Sequence, residues 1–424
     1  MRWAFAFLLL GTATLTAQDP LPVPPPPTGL PGKPFFIKKT WIIGGHGNWD
    51  YLTMDAPADR LYITHGPTVQ VVDVSTGNLA GEVKGLREAH AVALDPAGQF
   101  GYISDGGADQ VKIFDRQTFE VVASIPTGPS PRALALDPES NLLIAVCAGP
   151  HPPPEQPPAN RPGRPPQRNP RPPANEEAKS ILTIIDVQTR AELAEIVVDG
   201  RFGFAAGDGK GAAFIAVEDR NRIARLDLDP LSALLRQPPV RRASAQSTSA
   251  ASPPEYPLHL DWSSTSHAPS GNRPLRFFST GTDCREPRAL SVDSTHLRLF
   301  AACSNMKMAV LDATTGDAVT TLPIGPGVDA VGYDVDRGLI YSANGGAQGS
   351  LTIIRQDVTD TYSVVQTLAT RQRARTLAVN SSTGEVYLVT ILEVAKTGPP
   401  PMNGIGTLKT VPEDSSFQVL VVGN

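Results

Sequence analysis

An all-β fold, a seven-bladed β-propeller with an N-terminal strand closing the last blade, is predicted for this 424-residue chain on three observations. One phrase recurs seven times: a small or apolar run, an Asp or Asn that opens a turn, then an aromatic-centred strand. The last copy is one strand short, and an unassigned strand stands ahead of the first. Finally, 42 Pro and 37 Gly would break helices repeatedly, while a 41% apolar content suffices for a core.

Taken in order, Met1-Arg2-Trp3, the apolar run Ala4 to Leu10 and the small residues ending at Ala17 predict a cleaved signal peptide over 1–17. That apolar run is too short to span a bilayer, and no later segment is longer, so no membrane span is expected. The expected product is a periplasmic or secreted monomer. Residues 18–34 read as a Pro-rich spacer, with 8 prolines between Pro20 and Pro34. The propeller itself is assigned to 35–424, and Phe36 to Ile43 is the unassigned strand.

The repeat reads YLTMDAPADRLYITH from Tyr51, AVALDPAGQFGYISD from Ala91 and ALALDPESNLLIAVC from Ala133. It continues as FAAGDGKGAAFIAVE from Phe204, ALSVDSTHLRLFAAC from Ala289, AVGYDVDRGLIYSAN from Ala330 and TLAVNSSTGEVYLVT from Thr376. Its anchors are Asp55, Asp95, Asp137, Asp208, Asp293, Asp334 and Asn380, spaced by 40, 42, 71, 85, 41 and 46 residues. The two long intervals hold insertions, at about 149–179 in blade 3 and 230–272 in blade 4. A third strand follows each aromatic strand, as in VQVVDVSTG and MAVLDATTG, and a fourth ends in Gly, as in ASIPTG. Four short strands per forty residues is propeller patterning. The closing FQVLVVGN is a third strand, so the strand at 36–43 can complete its sheet and leave no exposed edge.

Side-chain choices agree. Two residues before the anchors stand Thr53, Ala93, Ala135, Ala206, Ser291, Gly332 and Ala378, all small enough for crowded innermost strands. Mid-strand two carries Tyr62, Tyr102, Ile144, Phe214, Phe300, Tyr341 and Tyr387, suited to packing between blades.

The phrases SIPTGPSPRALALDP, LPIGPGVDAVGYDVDRGLIYSANG and FQVLVVGN resemble the YVTN-type repeats of bacterial YncE-like β-propeller proteins. GNWDYLTMD and CREPRALSVDSTHLRLFAACSN are similar to the same family, and the resemblance covers 35–424 outside the insertions. It implies the fold and a binding role, since a propeller hosts many functions.

The candidate site is the face where strand one starts and strand two ends. Five residues before the anchors stand Asp50, His90, Arg132, Gly203, Arg288, Asp329 and Arg375, six of the seven ionisable, at the mouth of the central channel. Strand two ends at His65, Asp105, Cys147, Val217 (with Glu218 next), Cys303, Asn344 and Thr390. The ligand-binding set read from this convergence is Asp50, His65, His90, Asp105, Arg132, Arg288, Asp329 and Arg375. Three Arg against two Asp favour a small anionic or polar ligand. The alternation of Arg288, Asp329, Arg375 and Asp50 around the circle equally suits ion pairs that lock blades together.

Two other chemistries use the same face. His46, His65, His90, Asp50 and Asp105 offer imidazole and carboxylate to zinc or copper, but no spacing motif specifies a metal, and no cofactor is assigned. By analogy with lactonase-type propellers, Glu218, Asp105, His90 and Arg132 suit acid, base and oxyanion-stabilising parts of a lactone hydrolase. No diagnostic lactonase motif, Gly-x-Ser-x-Gly elbow or phosphate loop accompanies them. Binding rather than catalysis is therefore the expectation, with a lactonase-like hydrolase or a metal-binding propeller as alternatives.

With 37 basic and 42 acidic residues, the charge gives no reason to expect a nucleic-acid partner. Cys284 and Cys303 bracket blade five on one face and are the disulfide candidate, leaving Cys147 over. The stretch Pro150 to Pro173 holds 12 prolines with Arg161, Arg164, Arg168 and Arg171. It predicts an extended basic loop above the polar face, either a docking arm for an acidic protein or cell-envelope partner or a tolerated insertion. The second insertion predicts a flexible loop on the opposite face, and Lys396 to Pro412 a third loop on the polar one.

Overall fold

The repeated turn chemistry cuts the chain into short antiparallel strands, and the computed structural model arranges them as seven sheets around one axis. It describes residues 33–45, 47–96, 98–149, 178–236, 257–263, 274–346, 348–358, 360–394 and 411–424. The predicted signal peptide, most of the spacer, His46, Pro150–Pro173 and most of the third loop lie outside them. Blade 1 runs Trp49–Asp55, Arg60–His65, Thr68–Asp73 and Asn78–Val83, and the later blades repeat this order outward from the axis. Blade 7 has Leu377–Asn380, Glu385–Val394 and Val411–Gly423, and Phe36–Ile42 pairs antiparallel with the last of these, from Phe36 opposite Gly423 to Ile42 opposite Gln418. The N-terminal strand thus closes the seventh blade. Trp41 stacks on Tyr387 at 5.8 Å, and Trp49 meets Phe417 at 5.5 Å with the Arg373 guanidinium 4.9 Å above its indole. Among the described residues no helix is long and apolar enough to cross a membrane.

Seven apolar clusters hold the ring, one at each junction of neighbouring blades. The mid-strand aromatics Tyr62, Tyr102, Phe214, Phe300, Tyr341 and Tyr387 are buried in these junctions. Burying such a ring removes some 150–250 Å² from water, so each junction gains several kcal/mol without any blade having a core of its own.

Turn aspartates set the strand ends. Asp73, Asp115, Asp186 and Asp312, which end third strands, each accept two backbone N–H bonds from the following turn, as Asp73 does from Ser75 and Thr76 at 2.8 and 3.1 Å. Asp227 departs from this rule because the second insertion leaves there: its carboxylate takes Arg225 and Arg276 instead. The described parts of that insertion are regular structure rather than a flexible loop. It opens with a helix, Leu228–Leu235, whose Leu228, Leu231 and Leu235 share one face and are fully buried in the blade 3–4 junction. It later supplies Leu258–Asp261, which pairs parallel with Ala191–Asp199 as a fifth strand of blade 3 and covers that blade's outer edge.

Candidate functional site

The innermost strands of six blades carry a register shift near their start, for instance between Trp49 and Leu52 and between Val328 and Ala330. A bulge of this kind re-aims side chains. Here it lets two successive positions face the axis, the ionisable one at the rim and the next just beneath.

The rim is paired in an order set by blade geometry. The His90 Nδ1 lies 2.8 Å from Asp50 Oδ2, across blades 1 and 2. Arg375 sits 2.9 Å from Asp329, across blades 6 and 7. Arg288 turns back to Glu218 at 3.2 Å rather than forward to Asp329. Glu218, which the sequence places next after the end of strand two, joins the rim where blade 4 has no ionisable residue of its own. In blade 4 the rim residue is Gly203, and a Cβ there would come 2.5 Å from Glu218 Oε1, so the neighbouring strand's carboxylate occupies the vacant place. The signal was an absence: the one non-ionisable residue among seven equivalent positions.

Arg132 differs from its neighbours. It is exposed, and among the described residues its guanidinium has no hydrogen bond or ion pair. The three rim acids Asp50, Glu218 and Asp329 each have a basic partner other than Arg132. Burial pushes the Asp329 carboxyl up to about 6, with Arg375 pulling the other way and Asp50 adding to the rise.

Beneath the rim the equivalent positions are Ala91, Ala133, Ala289, Ala330 and Thr376, but blades 1 and 4 place Tyr51 and Phe204 there. The two rings meet edge to face across the axis, with centroids 4.9 Å apart, and close the channel. Burial, together with the carboxylates of Asp50, Asp329 and Glu218, holds the Tyr51 phenol well above the usual tyrosine range.

Two residues of the expected binding set stand apart from the rim. His65 is buried between blades 1 and 7, its ring 4.1 Å from that of Phe417 and its Nδ1 2.9 Å from Gln70 Oε1. Asp105 is fully buried and accepts the backbone N–H groups of Arg87 and Glu88 at 2.9 and 2.8 Å, tying down the strand leading into blade 2. Both end their second strands on the polar face, but their side chains point between blades. His65, His90 and Asp105 therefore do not converge, and among the described residues no three of His, Cys, Asp and Glu are grouped as metal ligands.

The hydrolase constellation is divided for the same reason. His90 is buried, and its Nε2 packs over Gly106, where a Cβ would lie 2.7 Å away. That nitrogen has no hydrogen-bond partner; it lies against Gly106, in the turn after the second strand of blade 2, and 3.8 Å from Glu88 Oε1. Cys284 and Cys303 are joined by a disulfide with Cα atoms 5.4 Å apart. Cys147 is a buried free thiol whose burial raises its pKa to about 12, so it is not a nucleophile at neutral pH.

Residues 57–149 match the family model described as lactonase, 7-bladed beta-propeller. The match runs from blade 1 into blade 3 and includes His90 and Arg132 of the rim, but none of Asp50, Glu218, Arg288, Asp329 and Arg375. No curated protein matches the chain. Among solved structures, the fold is similar to U3-55K (TM-score 0.57, 8% identity, 90% of this chain and 98% of that one). It is also similar to a chain of the mitotic checkpoint complex (0.56, 11%, 89% and 96%) and to the RRP9 WD40 repeats (0.58, 8%, 91% and 97%). At such identities the likeness concerns the propeller fold alone.

Proposed function

We propose that this β-propeller is a non-catalytic binding protein that takes a small anionic ligand, a carboxylate or phosphate ester, at the rim of its central channel. The observation that carries the reading is Arg132: an exposed guanidinium with no hydrogen bond or ion pair among the described residues, on a rim whose three acids each have another basic partner. A planar guanidinium accepts such an anion through two parallel hydrogen bonds. Arg288 and Arg375, flanking the rim and each about two-fifths exposed, supply further positive charge. The floor formed by Tyr51 and Phe204 gives the ligand an aromatic surface to rest on.

Export belongs to the same proposal, with 1–17 as a cleaved leader and the protein acting as a monomer in the periplasm or outside the cell. The Pro/Arg-rich insertion leaves blade 3 after Cys147 and returns at Lys179, both on the rim face, and its arginines would reinforce attraction of an acidic ligand or cell-envelope partner.

The second reading, a lactone hydrolase, is favoured by the family match over 57–149. Against it stands the placement of His90, a buried ring whose Nδ1 is held by Asp50 and whose Nε2 packs over Gly106 beside Glu88. One experiment separates the two. Calorimetric titration with a panel of carboxylates and phosphate esters is expected to find a binder whose affinity falls about tenfold or more in Arg132→Ala. Turnover of a lactone panel by the wild type, lost in both Arg132→Ala and His90→Ala, would instead establish the hydrolase.

A further inference from the structure

Below the Tyr51–Phe204 pair lies a cavity of about 330 Å³. Its wall runs from the level of that pair down to Met54, Tyr333 and Val379, near the anchor ends of the first strands, and includes no rim residue. The cavity is therefore distinct from the anion site above, with the Tyr51–Phe204 pair at its upper end. No charged side chain lines it. Apart from Tyr51 and Tyr333 its side chains are small or apolar; Thr53 Oγ1 already donates to the Val92 carbonyl at 2.7 Å, and the Tyr333 hydroxyl to Asp293 at 3.0 Å.

The polarity of this wall comes from the backbone. In all seven sheets the first strand is terminal in the pairing order, so one of its edges has no strand partner. Those edges face the axis and alternate N–H donors with C=O acceptors. An ion placed here would lose its hydration without meeting a counter-charge, a cost of several kcal/mol. A neutral molecule bearing both donors and acceptors meets the alternating edges, and a flat face on it meets the aromatic pair at the closed end.

We propose that this axial cavity is a second binding site, for a compact uncharged ring compound carrying hydrogen-bond donors and acceptors. Its volume is near the lower bound of small-molecule sites, ~300–1,000 Å³, and suits one sugar ring or one neutral heterocycle. The site is independent of the rim and does not rest on the anion-binding reading.

The test is saturation-transfer NMR with calorimetry on the full chain, using methyl glucoside and uracil as neutral probes and glucuronate and orotate as their charged counterparts. One neutral probe is expected to bind, its charged counterpart to bind about tenfold more weakly or not at all, and Arg132→Ala to leave the neutral probe's affinity unchanged. Which probe binds distinguishes a sugar from a heterocycle. Ala378→Leu projects three further carbons into the cavity and should abolish binding; should that variant not fold, Thr53→Leu fills the same space from blade 1. Absence of binding by both neutral probes overturns the proposal. So does equal binding of the charged ones, loss of binding in Arg132→Ala, or binding that persists in a folded cavity-filling variant.

Discussion

At the lower end of the seven innermost strands stands nearly the same residue each time: aspartate six times and asparagine once. At the upper end stand Asp50, His90, Arg132, Gly203, Arg288, Asp329 and Arg375. The lower residues act alike. Asp137, Asp208, Asp293, Asp334 and Asn380 accept backbone N–H groups of the turn that follows, as Asp293 does from Thr295 and His296 at 2.9 and 3.1 Å. Of the other two, Asp55 is committed to a buried pair with Arg116, and Asp95 takes the Gly98 N–H on its backbone carbonyl. The upper residues share a position but differ in what they contact. Two pairs bridge neighbouring blades, one arginine turns to a carboxylate from another strand, and Arg132 has no hydrogen bond or ion pair among the described residues. Repetition within one chain serves as its own control. Where the turn needs an acceptor, the same side chain recurs; where no backbone group makes a demand, the residues differ, and there the surface is free to recognise something.

The largest expected effect challenges this contrast, because it lies on the upper face yet concerns stability. The Cys284–Cys303 disulfide closes a 19-residue separation, so the double change to Ser should lower unfolding free energy by ~2–4 kcal/mol in denaturant titration. A negligible loss would mean that the upper face contributes nothing to holding blade 5.

Next in size is the anchor itself. Asp293 is fully buried and also accepts from the Tyr333 hydroxyl at 3.0 Å and pairs with His296. Asp293→Ala should cost ~1–3 kcal/mol, by leaving those donors unsatisfied, with anion binding at the rim intact in the folded fraction. Arg132→Ala should show the converse, stability within about ±0.5 kcal/mol of wild type and anion binding lost. If the two variants behaved alike, the division between the strand ends would fall.

The smallest effect is a proton. As pH falls through about 6, Asp329 protonates, Arg375 loses its counter-charge and the rim gains one positive unit. Anion affinity should therefore rise below pH 6, by on the order of a few-fold at physiological ionic strength. Because the folded value lies above the unfolded one near 4, the carboxyl's contribution to stability is greatest at low pH and is lost as pH rises through about 6. Asp329→Asn should flatten both profiles, and an unchanged affinity profile in that variant would assign the titration to another group.

Much of this architecture is legible from residue order. Seven anchors at a forty-residue spacing specify seven blades; the missing last strand and the spare first one specify how the ring closes; alternation places the small and the aromatic positions. The candidate site was legible only as a set of equivalent positions. That His65 and Asp105 turn between blades, while Glu218 fills the gap above Gly203, depends on local twist and on the space a neighbouring strand leaves, neither of which repeats along the chain. The helix at Leu228–Leu235 and the parallel strand at Leu258–Asp261 escaped for a related reason. They have no counterpart in the other blades, and a short apolar stretch in a polar insertion acquires its structure from the junction and the edge it covers.

By itself the sequence determined the number of blades, their closure and the turn acceptors, because these rest on periodicity and on hydrogen bonds made within a few residues. Only the tertiary structure decided which rim charges pair between neighbouring blades, that Arg132 has no side-chain partner among the described residues, and that Tyr51 and Phe204, more than 150 residues apart, meet across the axis. The ring contact joins blades that are not neighbours, and its geometry exists only once the ring has closed.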